Sequence, residues 1–257
     1  SGWLRETAGA WVAMHPAERD TLPARIWSGA AAVGTDRAWL REQGVPEDDL
    51  AALLVELDPG SPLLAMAEPD RLLGDGDLLP IHGRRVRAVW TPGHTPGHLC
   101  LHDAEAGVLL TGDHLLPRIS PTIGVHGGHD DDPLTGYLES LRRMTRYAAS
   151  EALPAHEYRF REVDARAAYL IGHHRDRCTE IVTMLTAAGP ATCWQVAVEL
   201  SWSRGWTTLS GMMRRMALAE TLAHLRHLRT TGTVVCDTGS PRRWRRRDPA
   251  APTRPPG

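Results

Sequence analysis

The sequence predicts an α/β protein followed by a smaller, mostly helical unit, and three observations carry that prediction. Short alternating or apolar runs at 86–90, 98–102 and 108–112 end on turn residues or a lone charged side chain, as strands of a sheet do. Residues 133–144 repeat apolar side chains at helical spacing, the pattern of a helix laid on that sheet. From residue 161 the pattern changes to long helical stretches that end in one short strand.

The bulk composition bounds the function. A chain of 257 residues has room for one large domain, one small domain and an ample core. Its formal net charge of −2 argues against a broadly basic nucleic-acid binder. Lys and Asn are absent and Phe160 is the single phenylalanine, whereas Arg, Ala, Gly and Pro abound. The missing residues have A/T-rich codons, so the chain reads as the product of a high-GC, bacterial genome. Cys100, Cys178, Cys193 and Cys236 lie far apart and form no C-x-x-C, which favours buried thiols in a reduced cytoplasm over disulfides or a zinc ribbon. No signal peptide and no bilayer-length apolar run is visible, so a cytoplasmic protein without a membrane partner is expected.

Taken in order, residues 2–7 read as the end of a helix and 10–14 as a strand leading to His15 and Pro16. His15 is expected to be a structural strand-end histidine. Residues 35–44 and 47–57 have helical spacing, with Pro46 at the second start; such a pair either roofs a pocket or serves packing. The run Gly74-Asp75-Gly76-Asp77 is a turn and lacks the length and ligand spacing of a calcium loop.

The chain is organised around 91–98, T-P-G-H-T-P-G-H, where two Pro-Gly pairs turn it sharply as the strand 86–90 runs out. A histidine on such a turn stands on a rigid support at the mouth of a sheet. The run 108–113 is an apolar strand that ends on Asp113, and 153–158 is a shorter one that ends on His156. His94, Asp113 and His156 therefore each sit where a strand meets a loop. Two imidazoles and a carboxylate suit zinc, iron or manganese. Any one of them alone is more often a turn or core polar group; the threefold repetition points to a site. His114, His126 and His129 offer further imidazoles in the irregular stretch 115–128 and beside it, but loop histidines are usually neither ligands nor substrate contacts. Asp131-Asp132-Pro133 then caps a helix whose buried stripe is Leu134, Tyr137, Leu138, Leu141 and Met144.

The ordered set T-P-G-H-T-P-G-H, L-L-T-G-D and P-A-H-E-Y resembles the metallo-β-lactamase-fold hydrolases, a group that includes glyoxalase II. The resemblance implies an αββα sandwich over residues 1–160, incomplete in its N-terminal half. It implies two zinc ions, with His94 on one, His156 on the other and Asp113 bridging both. Asp113 would then also be catalytic, holding the metals and the hydroxide that attacks a carbonyl or phosphoryl centre. His98 is assigned to support of the turn rather than to a metal, and Glu157 and Tyr158 to the entrance. The family's other ligands come from an earlier H-x-H-x-D-H, which this sequence lacks; the expectation is that it begins just downstream of that motif. Three ligands divided between two metals predict less than one tightly bound zinc per chain, and weak hydrolysis or none.

The second unit is assigned to 161–247 and a disordered tail to 248–257. A long helix is expected to stop at Gly189-Pro190, and Thr192 to Gln195 form a capping box for the next helix, through Leu200. Ser210 is positioned to cap a third helix, on which Met213, Met216, Ala217, Leu222, Leu225 and Leu228 form a buried stripe. With a short strand at 232–236, this order suggests a winged-helix domain, also found on one branch of the resembling family. Arg242, Arg243, Arg245, Arg246 and Arg247 around Trp244 offer at most a weak, salt-sensitive RNA contact, and a solvated tail is the simpler reading. Packing or dimerisation is the expected role of the third helix. Removing everything after Gly239 should then leave the fold intact. The favoured function is zinc-dependent hydrolysis of a small ester or thioester. The alternatives are a phosphodiesterase or ribonuclease of the same fold, and a non-catalytic remnant that serves as a binding module.

Overall fold

The structure is a computed structural model that describes residues 2–25, 30–54, 68–125 and 132–248. His126, His129, Asp131 and residues 55–57 and 249–257 lie outside the described residues. Two compact units emerge, Ser1–Ala32 with Glu56–His174, and Val33–Val55 with Arg175–Gly257. The boundary expected at residue 160 precedes the long helix within which this division falls.

The first unit opens with α1 (Gly2–Ala8), β1 (Ala13–Met14) and α2 (Pro16–Arg25). The strand expected at 10–14 shortens to two residues, paired in parallel with β2 (Arg71–Leu72). Asp70 holds this corner by accepting from the Val12 amide at 2.7 Å and from Arg5 at 2.6 Å. The main sheet has the order β3 (Val86–Trp90), β4 (Leu99–Asp103), β5 (Val108–Gly112), β6 (Glu151–Pro154). β4 pairs antiparallel with both β3 and β5, and β6 pairs parallel with β5.

That last pairing needs a crossover, supplied by α5 (Pro133–Met144). Asp132 caps it by accepting from the Thr135 amide, Pro133 occupies the first turn, and the expected stripe from Leu134 to Met144 is buried. Directions follow from the pairings. β3 and β5 both oppose β4, and β6 follows β5, so three strands deliver their C-terminal ends to one end of the sheet. There also β4 begins. Ligand sites in open sheets gather at such ends.

In the second unit, α3 (Ala30–Glu42) and α4 (Glu47–Leu53), the expected helical pair, pack on C-terminal helices. Arg215 pairs with Asp36, and Arg214 with Asp49 at 3.6 Å. The long helix α6 (Val163–Ala188) ends at Gly189, whose φ is +80°, as the Gly-Pro signal predicts. β7 (Ala191–Thr192), α7 (Cys193–Glu199), a 3₁₀ turn (Trp206–Thr208), α8 (Gly211–Thr230), β8 (Val234–Cys236) and β9 (Arg243–Arg246) follow. The Thr192–Gln195 capping box is present in both directions. Ser210 occupies the cap position of α8 without a side-chain bond.

Two expectations fail here for physical reasons. Met213 and Met216 are 38% and 42% exposed rather than buried. The first turns of α8 instead turn Gly211, Arg214, Arg215 and Leu218 toward α3 and α4. A Cβ on Gly211 would lie 1.9 Å from the Ala52 carbonyl oxygen, and both arginines are ion-paired on that side. Met212, Met213 and Met216 fall on the opposite face. From Ala217 the stripe is buried as expected, with Leu222, Leu225 and Leu228 inside. The arginine run is likewise not a solvated tail. It is β9, the middle strand of the order β7–β9–β8, and Trp244 is 2% exposed. Arg242 pairs with Glu42 at 2.8 Å, Arg243 donates to the Pro190 carbonyl at 3.2 Å and Arg246 to Thr186 Oγ1 at 3.4 Å.

No disulfide joins the cysteines among the described residues; Cys100 and Cys193 are buried, Cys178 and Cys236 half-buried. No described helix is long and apolar enough to cross a membrane.

Candidate functional site

His94, Asp113 and His156 come together at the shared end of β3, β5 and β6. His94 Nε2 lies 3.9 Å from Asp113 Oδ2, and His156 Nε2 lies 3.2 Å from Asp113 Oδ1. Each imidazole thus faces a different oxygen of one carboxylate. The His94 tautomer is fixed, because its Nδ1 lies 2.8 Å from the Thr122 carbonyl, which can only accept. Nδ1 therefore carries a proton, and Nε2 is the ring atom that faces Asp113.

His98 is not directed at the same point. The Asp113 amide donates to His98 Nε2 at 3.2 Å, so the proton sits on Nδ1 and goes to Thr91 Oγ1 at 2.7 Å. The Thr91 hydroxyl lies within reach of the His98 carbonyl at 3.3 Å. Burial, then the neighbouring His94, lower the His98 pKa to about 4. A neutral imidazole consequently pins the backbone on which Asp113 stands. Gly112 makes this approach feasible: its φ is +51°, and a Cβ there would lie 2.6 Å from His98 Nε2.

The His94 turn is held from α2. Glu18 Oε2 accepts from Thr95 Oγ1 at 2.6 Å and from the Gly97 amide at 3.1 Å. A Cβ on Gly97 would lie 2.1 Å from the Glu18 nitrogen, and one on Gly93 would lie 2.4 Å from Tyr137 Cβ. Glu18, Thr91 and Thr122 are functional supports that sequence reasoning missed. Thr91 at least belonged to the motif; nothing in spacing marked the other two. His15 takes the structural role expected of it, stacked on Trp90 at 4.8 Å with Nδ1 accepting from the Ala17 amide at 3.1 Å.

His114 lies inside rather than on the site. It is fully buried, edge-on to Tyr137 at 4.9 Å, and neither ring nitrogen has a hydrogen-bond partner among the described residues. Burial holds its pKa well below 6.5. His156 is the open member, with its side chain 66% exposed. Beside it, Glu157 accepts from the Arg118 amide and from Arg118 Nε, both at 3.1 Å, while Tyr158 is 52% exposed.

In kind the donors suit a metal: two imidazole nitrogens and a carboxylate with one oxygen toward each. No group of three or more His, Cys, Asp or Glu among the described residues converges on one ion. Instead the two imidazoles face separate oxygens of the one Asp113 carboxylate.

Comparison with known proteins agrees with this reading of the fold. The sequence profile of the metallo-beta-lactamase superfamily matches residues 2–156. A metallo-beta-lactamase family protein from Thermus thermophilus is 31% identical with a TM-score of 0.75, covering 96% of this chain and 75% of that one. A beta-lactamase domain protein from Burkholderia ambifaria is 30% identical with a TM-score of 0.79, covering 95% and 70%. Among curated proteins, the lactamase-like protein vrtG of Penicillium aethiopicum is 32% identical over 117 residues, 46% of this chain and 36% of that protein. An atrochrysone carboxyl ACP thioesterase of Emericella nidulans is 26% identical over 208 residues, 78% of this chain and 62% of its own length. The chain spans about a third of the length of the first curated relatives it matches. The protein is an α/β protein with the sheet of the metallo-beta-lactamase fold. It belongs to the metallo-beta-lactamase superfamily.

Proposed function

We propose that this chain carries part of a metal-dependent hydrolase site that acts on a thioester or small ester, with His94, Asp113 and His156 as zinc ligands. The observation that carries the reading is the opposed pair of imidazoles, one at 3.9 Å and one at 3.2 Å from separate oxygens of Asp113. The thioester is favoured over the plain ester by similarity to the atrochrysone carboxyl ACP thioesterase. When bound, zinc supplies Lewis-acid polarisation of the scissile carbonyl. The chain's own residues do the rest by placement. Asp113 draws the two ligand positions together, the Thr122 carbonyl keeps His94 Nε2 facing Asp113, and neutral His98 fixes the Asp113 backbone. Exposed His156 leaves the substrate side open.

For the second unit we propose a winged-helix arrangement, supported by its order of helix, strand, two helices and a hairpin whose last strand lies between the other two. Its arginine run is engaged internally through Arg242, Arg243 and Arg246, which favours packing over nucleic-acid binding.

The test combines zinc analysis with turnover. With two donors per position among the described residues, dialysed protein should retain less than one zinc per chain. Residual cleavage of an acyl thioester should fall at least about 100-fold in Asp113→Asn, on the scale of lost preorganised groups. Two tightly held zinc ions would overturn the donor inventory, and an unchanged rate in Asp113→Asn would overturn the site. Preferential cleavage of a phosphodiester would overturn the thioester assignment.

A further inference from the structure

We propose that Glu157 is the positioning residue for His156, tying the turn that bears this imidazole to the loop that follows Asp113. The inference rests on reading His94, Asp113 and His156 as one site. It begins from an asymmetry between the two histidines. His94 is oriented by the Thr122 carbonyl behind it. Among the described residues, Asp113 is the recorded polar partner of His156, and its side chain is 66% exposed. No other polar group among the described residues is given against the ring, which leaves the backbone that carries it.

That backbone is unusual at the next residue. Glu157 has φ +70°, a region glycine enters freely and a glutamate does not. Such a conformation persists where its surroundings over-determine it. The surroundings here are specific. One carboxylate oxygen accepts from the Arg118 amide and the other from Arg118 Nε, each at 3.1 Å. Glu157 is only 15% exposed in its side chain while Arg118 is 71% exposed. The carboxylate is thus gripped twice, by the main chain and by the guanidinium of one residue.

The receiving loop is itself anchored. Arg166 of α6 donates to the carbonyls of Leu116 at 2.6 Å and Ile119 at 2.7 Å. The loop leaving Asp113 is therefore held by its carbonyls from α6 and by an amide from Glu157. Through this connection the turns carrying Asp113 and His156 are fixed to each other, which keeps Nε2 opposite Oδ1.

The experiment uses the full chain and two readouts, zinc affinity by competition with a chromophoric chelator and the His156 χ1 distribution from side-chain NMR couplings without metal. Glu157→Gly removes the carboxylate and relieves the φ requirement. We expect rotamer averaging at His156 and zinc affinity lower by about 10- to 100-fold, the range for lost outer-shell support. Glu157→Gln keeps an acceptor for the Arg118 amide and should recover most of both. A single His156 rotamer retained in Glu157→Gly overturns the proposal, whether or not zinc binds. His156→Ala separates the two ideas. If it leaves zinc affinity unchanged, the site reading fails; if it weakens binding and Glu157→Gly does not, the positioning role fails.

Discussion

Trp244→Ala should be among the most damaging single substitutions in the second unit. The ring is 2% exposed and lies in β9, between β7 and β8, with the Arg229 guanidinium 5.9 Å from its centroid. Burying about 200 Å² of tryptophan at about 25 cal/mol per Å² is worth roughly 5 kcal/mol as an upper estimate. Measured truncations of buried aromatic residues fall at about 3–5 kcal/mol. Against a total of about 5–15 kcal/mol for a domain, this leaves a marginal fold. Ending the chain at Gly239 should do more, because it also removes the pairings of Trp244 with Ala191 and with Cys236 and the Arg242–Glu42 pair. Urea unfolding followed by circular dichroism and tryptophan fluorescence reads both effects. Arg245→Ala, an exposed change on the same strand, should stay within about 0.5 kcal/mol. A chain ending at Gly239 that unfolds at the parent's midpoint would refute the reasoning, and with it the place of β9 in the core.

Stability should fall in mild acid because the fold keeps His98 neutral. The unfolded imidazole titrates near 6.5 and the folded one near 4, so the contribution is complete above the first value and is lost as pH drops toward the second. The loss reaches roughly 3 kcal/mol across that window. The melting temperature of the parent should drop over this range and that of His98→Gln should drop less steeply; equal slopes would contradict it. Gly97→Ala should destabilise the His94 turn by about 1–3 kcal/mol, since the new methyl meets the Glu18 backbone and not a flexible side chain. Calorimetry showing a parent-like transition would mean that α2 yields without penalty.

The sequence made some features legible because their causes are local. A Pro-Gly turn, a capping box and a helical stripe act within a few residues, and α5, α7 and the strand ends carrying His94 and Asp113 appear where those signals lie. The Glu18 clamp was not legible. It joins residues 77 and 79 apart through a hydroxyl and an amide, and a lone glutamate in a helix start has no pattern. Met213 and Met216 misled for a related reason. Helical spacing says which side chains share a face, but the partner helices decide which face is covered, and ion pairs to Asp36 and Asp49 chose the other one. In the arginine run, five charges mask the strand signal of the single buried tryptophan among them. In a strand, alternation lets one buried ring anchor flanking charges that stay wet.

The parallel pairing of β5 with β6 also sets the order in which the site can assemble. β3, β4 and β5 form a meander of short loops, so His94 and Asp113 are brought near each other by local closure. His156 arrives only when Val108 finds Glu151, a contact that closes a much longer stretch of chain around α5. Loop-closure entropy makes that the slower search. Of His94 and His156, the one more open to solvent is therefore also the one whose place depends on the least local contact of the sheet.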